Sequence, residues 1–283
     1  MLDHCLVRST GGVNRSARVT EPFRLSGEEL NGLNENGYVV RRGVFTRGEC
    51  AAMAEGVEQL ERDLLSAKRR TKHTAGSYLF ELQREFGTIV KWEPDFPEVV
   101  QGVEPFAHIS PVLDKWARDP RLWNPSKDVI GQDAIDLFTE KLTMKRAHTG
   151  GTIVLHQDYP YWRPMTKVAH KIMTALIYLD DATMANGCLE VVPGSHRDGM
   201  VPERITNEGF GANEMDPARY DTGALIPVEA PAGTVVFFGG FLVHRSLPNR
   251  SAQDRRALLY SYQPAGYPHS LELSKLTPRA ATA

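Results

Sequence analysis

Apolar residues recur at helical spacing early in the chain and in short β-like runs later. Met53, Val57, Leu60 and Leu64 are separated by four, three and four residues, the stripe of an amphipathic helix packed on a flat surface. Glu58, Glu61, Arg62 and Asp63 lie off that stripe and are expected in solvent. Thr46 with Glu49 forms a capping box that opens this helix, and Ser26 with Glu29 forms another, for a shorter helix ending near Gly37. Tyr38, Val39 and Val40 then read as a short strand. Ser110-Pro111 has the Ncap-N1 pattern of a further helix start that carries Leu113 and Trp116 inward.

From about residue 130 the period changes. Runs rich in β-branched and aromatic residues span 135–144, 152–155, 172–179, 189–192, 234–238 and 257–262. Turn signals separate them: Gly150-Gly151, Asn186-Gly187, Pro193-Gly194, Pro231 with Gly233, and Gly239-Gly240. The pattern predicts a mainly β fold with flanking helices (α+β). Its core is an antiparallel double-stranded β-helix, a jelly-roll or cupin-like barrel with the N-terminal helices packed on one sheet. Residues 1–20 are polar and aperiodic and read as a mobile tail. Residues 21–283 read as one domain, helical over about 21–130 and barrel over about 131–265. The polar, Gly-bearing segment 197–225 is read as a functional loop or lid over the barrel mouth.

Composition narrows the class without naming a reaction. A net charge of -2 and a pI near 6.5 give no field for nucleic acid or an anionic membrane. No apolar run is long enough to span a bilayer, and no secretory signal is visible. Three dispersed cysteines, Cys5, Cys50 and Cys188, fit reduced thiols, so a cytoplasmic protein with a small-molecule substrate is expected.

His156, Gln157 and Asp158 supply a candidate chemistry. In an extended strand His156 and Asp158 project from one side while Gln157 points away. With His244 from a separate strand they make two imidazoles and a carboxylate. That set holds one face of a non-haem Fe(II) and leaves the other open. Arg255, eleven residues on, can fork onto a carboxylate. Strand alternation turns one of Arg255 and Arg256 inward; Arg255 is assigned that place, and a one-residue slip would reverse it. A zinc hydrolase would also use two histidines and a carboxylate, but would not need Arg255.

The segments LHQDYPYW (155–162), NGCLEVVPGSHR (186–197) and GTVVFFGGFLVHRSLPNRSAQDRRAL (233–258) resemble the phytanoyl-CoA dioxygenase family of Fe(II)- and 2-oxoglutarate-dependent oxygenases. GYVVRRGVFTRGEC (37–50) is similar to that family's start. The resemblance implies His156, Asp158 and His244 as iron ligands and Arg255 as the clamp on 2-oxoglutarate. It also implies O2 as co-substrate, ascorbate as in vitro reductant, and succinate and CO2 as co-products. Ser246 shares a face with His244 and could bond the same co-substrate; Lys141, Lys145, Thr174 and Leu176 stand near where relatives contact it. Tyr159, Tyr161 and Trp162 are candidate substrate-pocket residues, with Trp162 preferred. No separate catalytic acid or base is assigned. Asp158 sets the chain apart from related halogenating enzymes, which lack the carboxylate. Hydroxylation or another oxidation (desaturation, epimerisation, ring formation) of a small molecule, such as a secondary metabolite, is therefore expected over halogenation, hydroxylation first. The alternatives are an acyl-CoA hydroxylase and a non-enzymatic cupin-like binding protein.

Overall fold

The computed structural model describes residues 21–67, 71–201, 215 and 220–272. The expected N-terminal tail and most of the 197–225 loop lie outside the described residues. Both capping boxes form. Ser26 caps α1 (Gly27–Asn36) and Thr46 caps α2 (Arg47–Ser66), each with its glutamate bonded back to the cap N–H. Gly37 ends α1 in the left-handed conformation that its missing Cβ permits.

Strand β1 (Tyr38–Arg41) follows α1, and α2 leads into β2 (Lys72–Ala75), β3 (Tyr78–Gln83), β4 (Thr88–Trp92) and β5 (Val100–Glu104). Short α3 (Pro111–Asp114) and α4 (Pro120–Ile130) precede β6 (Ile135–Lys145), β7 (Ile153–His156) and α5 (Tyr159–Trp162). The remaining strands are β8 (Met173–Tyr178), β9 (Leu189–Val191), β10 (Ile226–Val228), β11 (Val235–Gly239), β12 (His244–Ser246) and β13 (Arg255–Pro264). They form a nine-stranded sheet in the order β1-β11-β8-β13-β6-β5-β4-β3-β2 and a four-stranded sheet in the order β10-β9-β12-β7. All the strand pairings are antiparallel.

Alternation along the central strands divides two cores. Ala175, Ile177, Val235, Phe237, Leu258 and Tyr260 meet the α2 stripe of Met53, Val57, Leu60 and Leu64. Leu176, Tyr178, Val236, Phe238, Ala257 and Leu259 face the small sheet and pack with Leu189 and Val191 of β9. Strand β8 is therefore buried at every position, which is why it reads as an apolar run interrupted only by Thr174. Tyr260 and Tyr262 donate hydroxyl bonds to the carbonyls of Leu113 (2.7 Å) and Ala117 (2.8 Å), tying the helical layer to the sheet.

The segment expected to be helical, 21–130, also contains β2 to β5, which continue the large sheet. Its alternation is inverted there: Glu81 and Gln83 are 0% and 2% exposed, while Leu82 between them is 38% exposed. Gln83 is held inside by bonds to the Leu64 carbonyl (3.4 Å) and Glu81 (3.2 Å), so polar residues occupy core positions. Helix α4 was also hidden from the pattern. Pro125 in its interior reads as a breaker, although Asp119 caps its start and left-handed Gly131 its end.

Candidate metal centre

Strand β7 ends at His156, so Asp158 does not continue it as the sequence suggested. Its φ of -76° and ψ of -29° are helical, because Tyr159-Pro160 starts α5 immediately afterwards. The turn still brings the pair together, with His156 Nε2 3.8 Å from Asp158 Oδ1. His244 opens β12 directly opposite His156, their rings 4.1 Å apart between centroids. One ligand atom from each of His156, Asp158 and His244 lies within 4.8 Å of the others, and all three residues are buried. Among the described residues, this is the one group of three such side chains that could hold a metal ion.

The main chain orients both imidazoles. His156 Nδ1 lies 2.8 Å from the Val154 carbonyl, and His244 Nδ1 lies 2.9 Å from the Leu242 carbonyl. A carbonyl can only accept, so Nδ1 is the donor on both rings and Nε2 is the atom left for a metal. Burial, with His244 alongside, pushes His156 down to about 3, so it is neutral as ligation requires. Burial alone would raise the Asp158 carboxyl, but the lysines nearby, Lys141 foremost and then Lys91, pull the other way, and the group lies below its ordinary value. The donor set and its protonation thus fit a divalent iron.

Gln157, fully buried between the ligands, does point away from them, and it has a task the sequence did not reveal. Its amide donates to the Gly199 (2.8 Å) and Phe241 (2.7 Å) carbonyls and accepts from Val201 N–H (2.9 Å). The ligand turn is thereby fixed to the approach to His244 and to the start of the 197–225 segment. A polar residue between His156 and Asp158 was the available signal.

Arg255 faces the barrel interior and Arg256 faces out. Arg256 pairs with Asp180 (2.7 Å) and Glu58 (2.9 Å). Arg255 is 3% exposed and, among the described residues, has no carboxylate partner and reaches only the hydroxyls of Thr143 (3.3 Å) and Ser246 (3.2 Å). Its Nε has no hydrogen-bond partner among the described residues. A buried cation left so uncompensated is suited to an anionic ligand. Ser246 is two residues from His244 on the same face of β12, about 7 Å along the strand. Between these residues the register against β7 shifts, His244 facing His156 and Ser246 facing Ile153.

The two candidate lysines separate. Lys145 is the register partner of Arg255, whereas Lys141 lies four residues back, opposite Leu259. Lys141 stands 3.5 Å from Glu104 and 4.0 Å from Asp158. Burial would lower its amine, but those two carboxylates raise it overall, and it stays charged. Thr174 bonds Ser261 (2.8 Å), and Leu176 packs in the inner core. Of the aromatics, Tyr161 sets its ring 6.1 Å from that of His156. Tyr159 stacks on Phe241 at 4.3 Å. Trp162, the preferred pocket residue, is instead 5% exposed in a cluster with Phe138, Ala169 and Ile172. It presses on Gly240, where a Cβ would stand 2.9 Å from the indole, so the turn before His244 needs glycine there.

The chain is 25% identical over 251 residues to an ectoine dioxygenase of Bordetella parapertussis, covering 84% of this chain and 75% of that one. It is 24% identical over 251 residues to a phytanoyl-CoA dioxygenase of Arabidopsis thaliana, covering 82% and 87%. Its fold matches that of SnoK, a non-heme alpha-ketoglutarate-dependent carbocyclase from nogalamycin biosynthesis, with a TM-score of 0.65 at 21% identity over 90% of this chain and 92% of that one. The sequence model of the phytanoyl-CoA dioxygenase (PhyH) family matches residues 33–257, most of the chain, which therefore belongs to that family.

Proposed function

We propose that this protein is an Fe(II)- and 2-oxoglutarate-dependent dioxygenase that hydroxylates an unactivated C–H of a small molecule. The observation that carries the reading is the pairing of two features in one barrel interior. Three buried ligands stand beside a buried arginine that lacks an anionic partner among the described residues. His156, Asp158 and His244 would hold the iron, and Arg255 with Ser246 would hold the distal carboxylate of 2-oxoglutarate. Bound iron, with 2-oxoglutarate and O2, supplies the oxidation that turns C–H into C–OH and releases succinate and CO2.

The chain's own residues supply placement and exclusion. The carbonyls of Val154 and Leu242 fix both imidazole faces, and Lys141 balances the Asp158 charge from the side. Tyr161, beside His156, is the aromatic surface placed to contact substrate, with Tyr159 and Trp162 backing it. A small secondary metabolite suits this pocket, since relatives named for ectoine and for nogalamycin biosynthesis share the family or the fold.

The test is O2-dependent formation of succinate from 2-oxoglutarate with added Fe(II) and ascorbate, screened for stimulation by candidate small molecules. His156→Ala and His244→Ala are expected to abolish both iron binding and turnover. Normal turnover in either variant, or tight Zn(II) binding with no succinate from the wild type, would overturn the proposal.

A further inference from the structure

Lys145 is 1% exposed and sits across the sheet from Arg255. The backbone leaves room for its stem. A Cβ at Gly187 would lie 2.8 Å from Lys145 Cδ, and one at Gly150 would lie 2.7 Å from its Cβ. Its amine donates to the Gly151 carbonyl, just before β7, and to the Ser246 carbonyl at the end of β12 (3.4 Å). Those two carbonyls are its hydrogen-bond acceptors among the described residues. A neutral amine has two N–H donors and an ammonium has three. Either form can serve these two carbonyls, and only the ammonium keeps a third N–H for a ligand.

Two charged groups face this amine: Arg255 on β13 and Glu93 just beyond β4. Tyr178, Cys188 and Asp180 act on Arg255 behind it. Glu93 is engaged elsewhere, accepting from the Gly151 N–H and from Gln101 (3.1 Å). Burial pushes its carboxyl up. Burial and then Arg255 pull the Lys145 amine down to about 7.

We propose that Lys145 is a proton-linked second cation of the co-substrate pocket, taking up one proton when a dicarboxylate binds and giving its third N–H to the carboxylate that Arg255 holds. The inference rests on the reading of Arg255 as the anion clamp. Its consequence is linkage: the competent, protonated form dominates below pH 7 and is depleted above it. The KM for 2-oxoglutarate therefore rises about tenfold from pH 6 to pH 8.

Calorimetric titration of 2-oxoglutarate into the Mn(II)-loaded enzyme, in buffers of different ionisation enthalpy, counts the protons directly. About 0.9 proton is expected to be taken up per site at pH 8 and about 0.1 at pH 6. Lys145→Met should bind several hundredfold more weakly at pH 6 with no uptake at either pH, whereas Glu93→Gln should keep the uptake. Uptake that is absent from the wild type, survives in Lys145→Met or vanishes in Glu93→Gln overturns the inference while leaving the co-substrate assignment standing. Failure of 2-oxoglutarate to bind at all sinks that assignment too. The wild-type and Glu93→Gln measurements remain decisive if Lys145→Met does not fold.

Discussion

Replacing Arg255 by Met should move stability and co-substrate affinity in opposite senses. Among the described residues the guanidinium is buried without a carboxylate, bonded to two hydroxyls at 3.2–3.3 Å and with Nε unpaired. Removing such a charge relieves its desolvation, so unfolding free energy should be unchanged or rise by about 1 kcal/mol. Binding is the opposite case. Losing the cationic half of a buried, hydrogen-bonded charge pair costs roughly 2–5 kcal/mol. That corresponds to a KM for 2-oxoglutarate raised by about 30-fold to several thousand-fold. Arg256→Met is the internal control. It breaks the pairs to Asp180 and Glu58 outside the barrel and should lower stability by about 1–3 kcal/mol, with KM changed less than about threefold. Urea unfolding without ligand and succinate formation against 2-oxoglutarate concentration measure the two quantities. An Arg255→Met variant that is markedly destabilised, or that keeps the wild-type KM, would refute the assignment of this arginine to an anion.

Gln157→Leu removes three hydrogen bonds at a buried site and leaves the Gly199 and Phe241 carbonyls and the Val201 N–H without it. A loss of about 2–4 kcal/mol is expected by chemical denaturation, and a change below about 1 kcal/mol would show that the amide does not brace the turn. At acid pH, Glu49 should act as a stability switch. Arg121 chiefly holds its carboxyl down at about 2, against an unfolded value of 4.5. A depressed carboxyl stabilises above the unfolded value and loses that contribution as pH falls from 4.5 through 2. Glu49→Gln should therefore flatten the acid limb of a thermal-midpoint profile, and an unaltered limb would dismiss the Arg121 pair as a contributor.

What could be read from the sequence divides along physical lines. The α2 stripe, both capping boxes and the β-rich runs after residue 130 were legible, because period and end chemistry agree there. The convergence of His156, Asp158 and His244 was legible too, since donor chemistry restricts which residues can share an ion. The conformation of Asp158 was not, because the turn is dictated by the following Tyr159-Pro160 and not by the ligands. Strand β3 was hidden by buried Glu81 and Gln83, which bond to each other while Gln83 also reaches the Leu64 carbonyl of α2. The burial of Trp162 depends on Gly240 leaving space some eighty residues away, a relation no local window contains.

The carbonyls of Val154 and Leu242 do for the imidazoles what a neighbouring acidic side chain often does in other metalloproteins. Peptide oxygens are present whatever residue occupies a position, so point substitutions cannot delete them. Lineages could therefore redecorate the surrounding walls for new molecules while ring orientation and tautomer stayed constant. Innovation in selectivity is uncoupled, at this centre, from upkeep of the metal.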